Sequence, residues 1–214
     1  MDEEITIIDS NTRNEKIKNF FIKNKKKLII TISVLIIILI GYFSLEEIKK
    51  INKIKLASQY NSSIIDYKIE NKKKTIDELT NIINRKDKTY SPLALYFLID
   101  NNLVEENEKV NELFNILIND TDLELEIKNL IIYKKGLFNA DNVEENELIK
   151  ILSPITNSDS VWKSHALYLL AEYFYSKNEK EKAKEFFNQI VVMLNSNPDI
   201  TLEAQKRLNR DLGE

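Results

Sequence analysis

The chain has 214 residues, 43% of them hydrophobic, and a formal net charge of −3. This length is enough for one domain with its own core, even if the first part of the chain forms a tail and a membrane span. The absence of cysteine excludes disulfides and thiolate metal sites, so stability has to come from packing. Residues 1–27 hold seven basic and five acidic residues, which leaves 24 basic and 29 acidic residues elsewhere. That acidic remainder, without a basic stripe, argues against a nucleic-acid partner.

The first predicted element is a charge-free run of 18 residues from Leu28 to Leu45, bounded by Lys27 and Glu46. A helix over this run is roughly 27 Å long, close to the hydrocarbon thickness of a bilayer. We therefore predict a transmembrane helix at residues 28–45. A cleaved signal peptide is the alternative, but the leading segment is long and Tyr42-Phe43 stands where cleavage needs small residues, so we expect an uncleaved anchor.

The charges on the two sides of this run predict its orientation. Seven basic residues precede it, three of them at positions 25–27, whereas four lysines follow it, at positions 49, 50, 53 and 55. By the positive-inside rule, the basic tail at residues 1–27 stays in the cytoplasm. Residues 46–214 are then exported as the helical domain.

Apolar residues continue at helical spacing beyond the span, from Ile48 to Tyr67. We therefore expect the membrane helix to continue as an amphipathic stalk without a flexible linker. A polar connection at residues 71–74 is expected before the next helix, whose apolar positions are Ile76, Leu79, Ile82 and Ile83.

The rest of the chain keeps the 3.6-residue period, with expected breaks at residues 86–89, 119–122, 139–145 and 153–160. Three glycines and three prolines are too few for the turns of a sandwich or barrel, and no stretch alternates with period two. The predicted fold class is all-α. Two breaks carry helix-start signals, namely Ser91 before Pro92 and Ser160 before Val161-Trp162.

A displacement of 36 residues superposes three segments that each open a predicted hairpin. They are Ala94-Leu95-Tyr96, Leu130-Ile131-Ile132 and Ala166-Leu167-Tyr168. The last hairpin also fits the tetratricopeptide (TPR) spacing of large and small residues. Its matching positions are Leu167, Leu170, Ala171, Phe174, Ala183, Phe187 and a late Pro198. Because small residues let helices cross closely, we predict a TPR-like α-solenoid of helical hairpins, with ordinary antiparallel helix packing as the alternative.

The order of parts resembles the YfgM-type ancillary subunits of the bacterial Sec translocon and their TPR-like relatives. The resemblance is sharpest between Trp162 and Leu208, through the segments ALYLLAEY (166–173), EKAKEFF (181–187) and TLEAQKRL (201–208). It implies a single-pass inner-membrane protein with a periplasmic TPR-like domain, next to the SecYEG channel and a PpiD-like periplasmic chaperone. The middle hairpins, 91–120 and 124–152, match only as helical pairs, and Lys134-Lys135-Gly136 stands where an apolar-small pair is expected.

Tyrosines at equivalent positions predict a partner-binding face. In a helical-hairpin array the first helices line the concave surface, and a tyrosine offers an apolar ring with a polar tip at low entropic cost. The candidate binding residues are Tyr96, Ile132, His165, Tyr168, Glu172 and Tyr175. The alternative is that these rings belong to the core, and Trp162 is expected to be a core anchor.

Catalytic and metal-binding patterns are missing from the sequence. His165 is the only histidine, so a histidine-activated nucleophile or a histidine metal site has no partner in this chain. Ser160-Val161-Trp162-Lys163 spells S-x-x-K, but no S-D-N or K-T-G motif accompanies it, and we expect Ser160 to cap a helix instead. We therefore expect a non-enzymatic protein without a cofactor, metal or small-molecule substrate.

Two functions remain open from the sequence. The first is a membrane-anchored scaffold that links the Sec translocon to periplasmic chaperones. The second is a structural adaptor of another envelope assembly, such as division or outer-membrane biogenesis.

Overall fold

The structure is a computed structural model that describes the backbone of residues 2–213 and the side chains of residues 14–213. Over residues 2–213 the chain forms helices and turns and contains no strand, which confirms the all-α class. The helices are α1 (Asp2–Ile65), α2 (Lys72–Asn84), α3 (Tyr90–Asp100), α4 (Asn107–Asn115), α5 (Leu125–Asn139), α6 (Glu145–Thr156), α7 (Lys163–Ser176), α8 (Lys180–Val192) and α9 (Pro198–Asp211).

The chain divides into two compact units, Met1–Lys55 and Leu56–Glu214. In the described part of the chain, α1 is the one helix that is long and apolar enough to cross a membrane, with a mean hydropathy of 2.8 in its most apolar window. Within the span, the side chains of residues 29–45 are exposed and that of Leu28 is partly exposed. The helix has no break between Leu45 and Ile65, as the apolar spacing predicted.

The second unit has two hydrophobic clusters that meet on α5. The first cluster joins α2, α3 and α4 through residues such as Leu79, Leu95 and Phe114. The second cluster joins α6, α7 and α8 through residues such as Leu152, Phe174 and Phe187. Ile131 belongs to the first cluster and its neighbour Ile132 to the second, because consecutive helical side chains point about 100° apart.

Neighbouring helices pack in pairs within this unit. Helix α2 packs on α3, α5 on α6, α7 on α8 and α8 on α9, while α5 also contacts α7 and α7 contacts α9. The last turns of α1 join this unit through the buried Leu56 and through Tyr60, whose ring centroid lies 5.8 Å from that of Tyr90.

Asparagine takes the place of glycine at two helix ends. After α3, Asn102 has a φ of 50°, and after α7, Asn178 has a φ of 63°. Asparagine tolerates this left-handed conformation better than other non-glycine residues. At α3 the amide of Asn102 donates to the Ile99 carbonyl and the amide of Leu103 to the Leu98 carbonyl, the paired bonds of a Schellman motif. Sharp turns are therefore possible in a chain that has three glycines.

Three predicted breaks lie at shifted positions. Lys72–Lys74, expected in a polar connection, form the first turn of α2. Residues Ile116–Asp120 form a π-helical turn that extends the helical path beyond Asn119, and the hydroxyl of Thr121 donates to the Ile116 carbonyl at 3.1 Å. Helix α6 continues through Pro154 to Thr156, because the Ser153 hydroxyl donates at 3.0 Å to the Lys150 carbonyl that the proline leaves without its amide partner.

The predicted helix starts need a similar correction. The side chain that holds the start of α3 is Asp87, whose Oδ1 accepts from the amides of Thr89 and Tyr90 at 2.9 and 2.8 Å. Ser91 lies inside α3, where its hydroxyl donates to the Ile82 carbonyl at 2.8 Å. Before α7, the Ser160 hydroxyl accepts from the Trp162 amide at 3.1 Å, so this serine holds the turn that precedes the helix.

Gly136 allows α5 to approach α6 and α7 closely. A Cβ at this position would lie 2.6 Å from Leu152 Cδ2 and 3.4 Å from Leu169 Cδ2. Leu152 is fully buried, so its side chain has little room to move away. The small residue that the sequence pattern expected one position earlier, at Lys135, is therefore supplied by Gly136.

We expect Gly136→Ala to destabilise the protein by about 1 kcal/mol, because the cost of overpacking exceeds the gain in helix propensity. The measurement is chemical unfolding of the full chain in detergent, followed by Trp162 fluorescence. Asn188→Ala, at an exposed position of α8, is the control and should change stability by no more than about 0.7 kcal/mol. Stabilisation by Gly136→Ala, which helix propensity alone would give, would contradict the close approach.

Candidate partner-binding face

A run of aromatic and charged side chains connects the odd-numbered helices of the second unit. We call it the tyrosine face, and its members are Tyr96 on α3, Tyr133 and Lys134 on α5, Trp162 before α7, His165, Tyr168, Glu172 and Tyr175 on α7, and Arg207 on α9. All of these side chains are partly buried. On α7 they recur at intervals of three or four residues, which places them on one side of the helix.

The contact between α3 and α5 is a cation on an aromatic ring. The Nζ atom of Lys134 lies 4.7 Å from the ring centroid of Tyr96. Burial, with a further contribution from the negative charge of Asp100, raises the pKa of Tyr96 to about 12. The phenol is therefore neutral at physiological pH and can both donate and accept a hydrogen bond.

The contact between α5 and α7 is a cluster of three rings. Tyr133 stacks on Trp162 with centroids 5.9 Å apart and planes 20° apart, and His165 lies 5.8 Å from Tyr133 and 5.1 Å from Trp162. Within the described side chains, the buried Nδ1 of His165 has no hydrogen-bond partner. Burial lowers the pKa of His165 below its ordinary value, so the imidazole favours the neutral form.

The contact between α7 and α9 is an ion-pair network around Arg207. Its guanidinium donates to both carboxylate oxygens of Glu172, at 2.7 and 2.6 Å, and also binds Asp211. It lies 4.2 Å from the ring centroid of Tyr175. Hydrogen bonds from Arg210 and from Arg207 lower the pKa of Asp211 to about 2. Because planar bidentate pairs fix orientation, this network positions α9 on α7.

Five of the six predicted binding residues lie on this face, namely Tyr96, His165, Tyr168, Glu172 and Tyr175. They are not equally free. Glu172 is occupied by Arg207, and the ring of Tyr168 packs on Phe187 with centroids 5.4 Å apart. Burial and the neighbouring Glu172 raise the pKa of Tyr168 to about 12. This leaves Tyr96 and the ring cluster of His165 as the less constrained part of the face.

Ile132, the sixth predicted residue, lies elsewhere. It is 6% exposed and belongs to the second hydrophobic cluster, so it contributes to packing and not to the tyrosine face. The residue of α5 that takes the expected position is its neighbour Tyr133. Tyr133 follows Tyr96 by 37 residues and precedes Tyr168 by 35 residues, so a strict 36-residue register misses Tyr133.

Two further members were also missed by the sequence pattern. Lys134 was interpreted as a departure from the expected apolar residue, although it reaches the ring of Tyr96. Arg207 follows Glu172 by 35 residues, which places them in successive repeats, but no local pattern pairs an arginine with a glutamate at that separation. Trp162, expected in the core, is partly buried and exposes the remainder of its indole.

The tyrosine face can supply apolar surface and neutral phenols to a ligand. These groups suit contact with another protein surface or an extended chain, because tyrosine and tryptophan contribute large area at low entropic cost.

We expect the fluorescence of Trp162 to fall as pH decreases below about 6.5, because protonated His165 quenches the adjacent indole and its pKa is lowered. The chain has one tryptophan and one histidine, so the fluorescence comes from Trp162 and a histidine titration can be assigned to His165. Folding favours the neutral imidazole. The contribution of His165 to the free energy of unfolding is therefore complete above pH about 6.5 and is lost as the pH falls through the lowered pKa. His165→Gln should abolish the quenching step, and a midpoint above pH 6.5 would contradict the buried environment of His165.

No protein-family model, curated protein or solved structure matches this chain.

Proposed function

We propose that the chain is a membrane-tethered, non-enzymatic scaffold of the bacterial cell envelope that binds other proteins through the tyrosine face. The observation that carries this proposal is the run of partly exposed rings across α3, α5 and α7. The same chain contains a helix long and apolar enough to cross a membrane. A tether restricts the search volume, so modest contacts on the face suffice for binding through a high effective concentration.

The helical domain is proposed to be a TPR-like solenoid. Support comes from the pairing of α5 with α6 and of α7 with α8, and from the contacts of α5 with α7 and of α7 with α9. Arrays of helical hairpins have these neighbour contacts, with the first helices of successive hairpins side by side. In this arrangement α5 and α7 are the first helices of two successive hairpins, and the tyrosine face runs along them from α3 to α9.

The partners proposed from the resemblance to YfgM-type proteins are the SecYEG translocon and a PpiD-like periplasmic chaperone. The acidic composition of the exported part and its neutral aromatic face suit transient binding of protein surfaces. Native co-purification in detergent separates this from the alternative role. A translocon subunit recovers SecY, whereas an adaptor of division or outer-membrane biogenesis recovers a different assembly.

The proposed topology places residues 1–27 in the cytoplasm and residues 46–214 in the periplasm, because the basic residues are concentrated before the span. We expect a membrane-impermeant maleimide to label Asn188→Cys in spheroplasts, but to label Lys18→Cys only after lysis. The chain has no cysteine of its own, so the unsubstituted protein is a clean background. The reverse labelling pattern would contradict the orientation and remove the periplasmic assignment.

For the binding face, we expect a photo-reactive phenylalanine derivative at Tyr96 or Tyr175 to crosslink to SecYEG or to a periplasmic chaperone in intact membranes. Both positions already hold an aromatic ring, so the substitution disturbs packing little. The matched control is the same derivative at Asn188, which is exposed on α8 and lies outside the tyrosine face.

Two outcomes would contradict the proposal. Equal crosslinking from Asn188 would show that the contacts are not specific to the face. If the derivative captures no envelope protein from either Tyr96 or Tyr175, the proposed scaffold function is wrong.

A further inference from the structure

A groove on another side of α5 forms a second candidate binding site. It lies between the π-helical turn that follows α4 and the helices α5 and α6, and its volume is about 600 Å³. This is within the size range of sites that hold a ligand. The more buried lining residues are Ile118, Ile132 and Ile151, which form an apolar floor. The exposed residues at its rim are Asn115, Asn119, Asn146, Lys150 and one acidic residue, Glu147.

The walls of the groove are held in place without a ligand. The side-chain amides of Asn111 on α4 and Asn139 on α5 bond reciprocally, at 2.9 and 2.8 Å, and Asn139 also donates to the Lys135 carbonyl. On the opposite wall, Pro154 lines the groove where α6 would otherwise have a regular turn. A preformed groove binds with less loss of conformational entropy than one that has to open.

Lys135 is the cation that marks this groove. Its Nζ donates to Asn115 Oδ1 at 2.9 Å, and within the described side chains no carboxylate oxygen lies within 4.0 Å of it. Burial lowers the pKa of Lys135, and the more distant Glu147 opposes this shift. Lys182 and Lys72, which also connect separate segments, have carboxylate partners in Glu145 and Glu105. Lys135 is thus a partly desolvated cation with a neutral partner.

The chemistry of the lining selects among ligands. A small inorganic anion would satisfy Lys135 but would leave the isoleucine floor uncovered, and a divalent cation would be repelled by Lys135 and Lys150. An extended peptide uses all three features, because its backbone can bond to the asparagine amides and its apolar side chains can cover the floor. A carboxylate in that peptide would complete the hydrogen bonding of Lys135.

We propose that this groove binds an extended peptide segment in which an acidic residue is flanked by apolar residues. The acidic side chain pairs with Lys135 at one end of the asparagine rim, and Lys150 adds a second, exposed positive charge. The proposed peptide is an internal segment of a partner protein. Apolar residues are needed on both sides of its acidic residue to cover the isoleucine floor.

The groove and the tyrosine face lie on different sides of α5. Ile132 and Lys135 line the groove, while Tyr133 and Lys134 belong to the tyrosine face, and each step along the helix turns the side chain by about 100°. Two partners can therefore be held at the same time. The inference goes beyond the proposed tether and holds whether or not the tyrosine face binds a partner.

The test uses the full chain in lipid nanodiscs and three fluorescein-labelled peptides with the core sequences Ser-Leu-Glu-Leu-Ser, Ser-Leu-Gln-Leu-Ser and Ser-Leu-Lys-Leu-Ser. Fluorescence anisotropy measures their affinities. We expect the glutamate peptide to bind about tenfold more tightly than the glutamine peptide, as a charge-assisted hydrogen bond predicts, and the lysine peptide to bind more weakly than both.

Variants then assign the site. Lys135→Met should reduce the affinity for the glutamate peptide about tenfold and leave that for the glutamine peptide nearly unchanged. Lys128→Met, on the same helix outside the groove, is the matched control and should have no effect. Lys150→Gln, at an exposed position, gives a second test that does not disturb folding. It should reduce the affinity for the glutamate peptide by a smaller factor than Lys135→Met does.

Equal affinity for the three peptides, or an unchanged affinity in both Lys135→Met and Lys150→Gln, would overturn the proposal. So would the absence of binding to any of the three. Complete displacement of the glutamate peptide by inorganic phosphate would assign the site to a small anion instead and would overturn the peptide as its ligand. Failure of these tests leaves the crosslinks from Tyr96 unaffected, so the two proposals can fail separately.

Discussion

The packing of α5 between two hydrophobic clusters is the constraint on which the rest of the helical domain depends. Ile131 and Ile132 enter different clusters, and Gly136 lets Leu152 and Leu169 come into contact with the same helix. This leaves the intervening positions of α5 available for other contacts. Tyr133 and Lys134 can therefore reach α7 and α3, while Lys135 lines the groove beside α6. One helix thus positions both candidate surfaces.

The electrostatic contacts differ between the two surfaces, and this difference separates structural from functional charge. Arg207 satisfies Glu172 and Asp211 and stacks on Tyr175, so the charges at the α7–α9 end of the tyrosine face are used within the fold. Such networks fix geometry more than they add stability, because desolvation offsets much of the Coulomb attraction. Lys135, in contrast, has an amide oxygen as its partner. A partly desolvated charge with a neutral partner gains more from an added counter-charge than a fully solvated one, which is the physical basis for proposing a carboxylate ligand here.

The two compact units differ in where their apolar side chains lie. In α1 the apolar side chains of residues 29–45 are exposed, a combination that is stable in lipid and unfavourable in water, and the helix is long and apolar enough to cross a membrane. From Leu56 onward, apolar residues are paired inside the two clusters and charged residues lie outside. Some large aliphatic side chains, such as Leu125, Val192 and Leu194, are nevertheless exposed. The aromatic rings across α3, α5 and α7 pack against the edges of the two clusters and keep part of their surface exposed, which is the surface proposed for protein binding.

The sequence by itself determined the apolar helix, the all-α class and the positions of most helices, because hydrophobic periodicity and charge are local properties of the chain. The repeat spacing of 36 residues also selected Tyr96 and Tyr168, and His165, Glu172 and Tyr175 were added as neighbours of Tyr168 in the last hairpin. Only the tertiary structure decided that Ile132 is core while Tyr133 is on the face, that Gly136 is the close-contact residue, and that Arg207 pairs with Glu172. A helix can rotate by one residue without changing its periodicity, so which side chains meet is set by packing against the other helices. The same holds for Lys135, whose lack of a carboxylate partner among the described side chains follows from three-dimensional neighbours that no local pattern encodes.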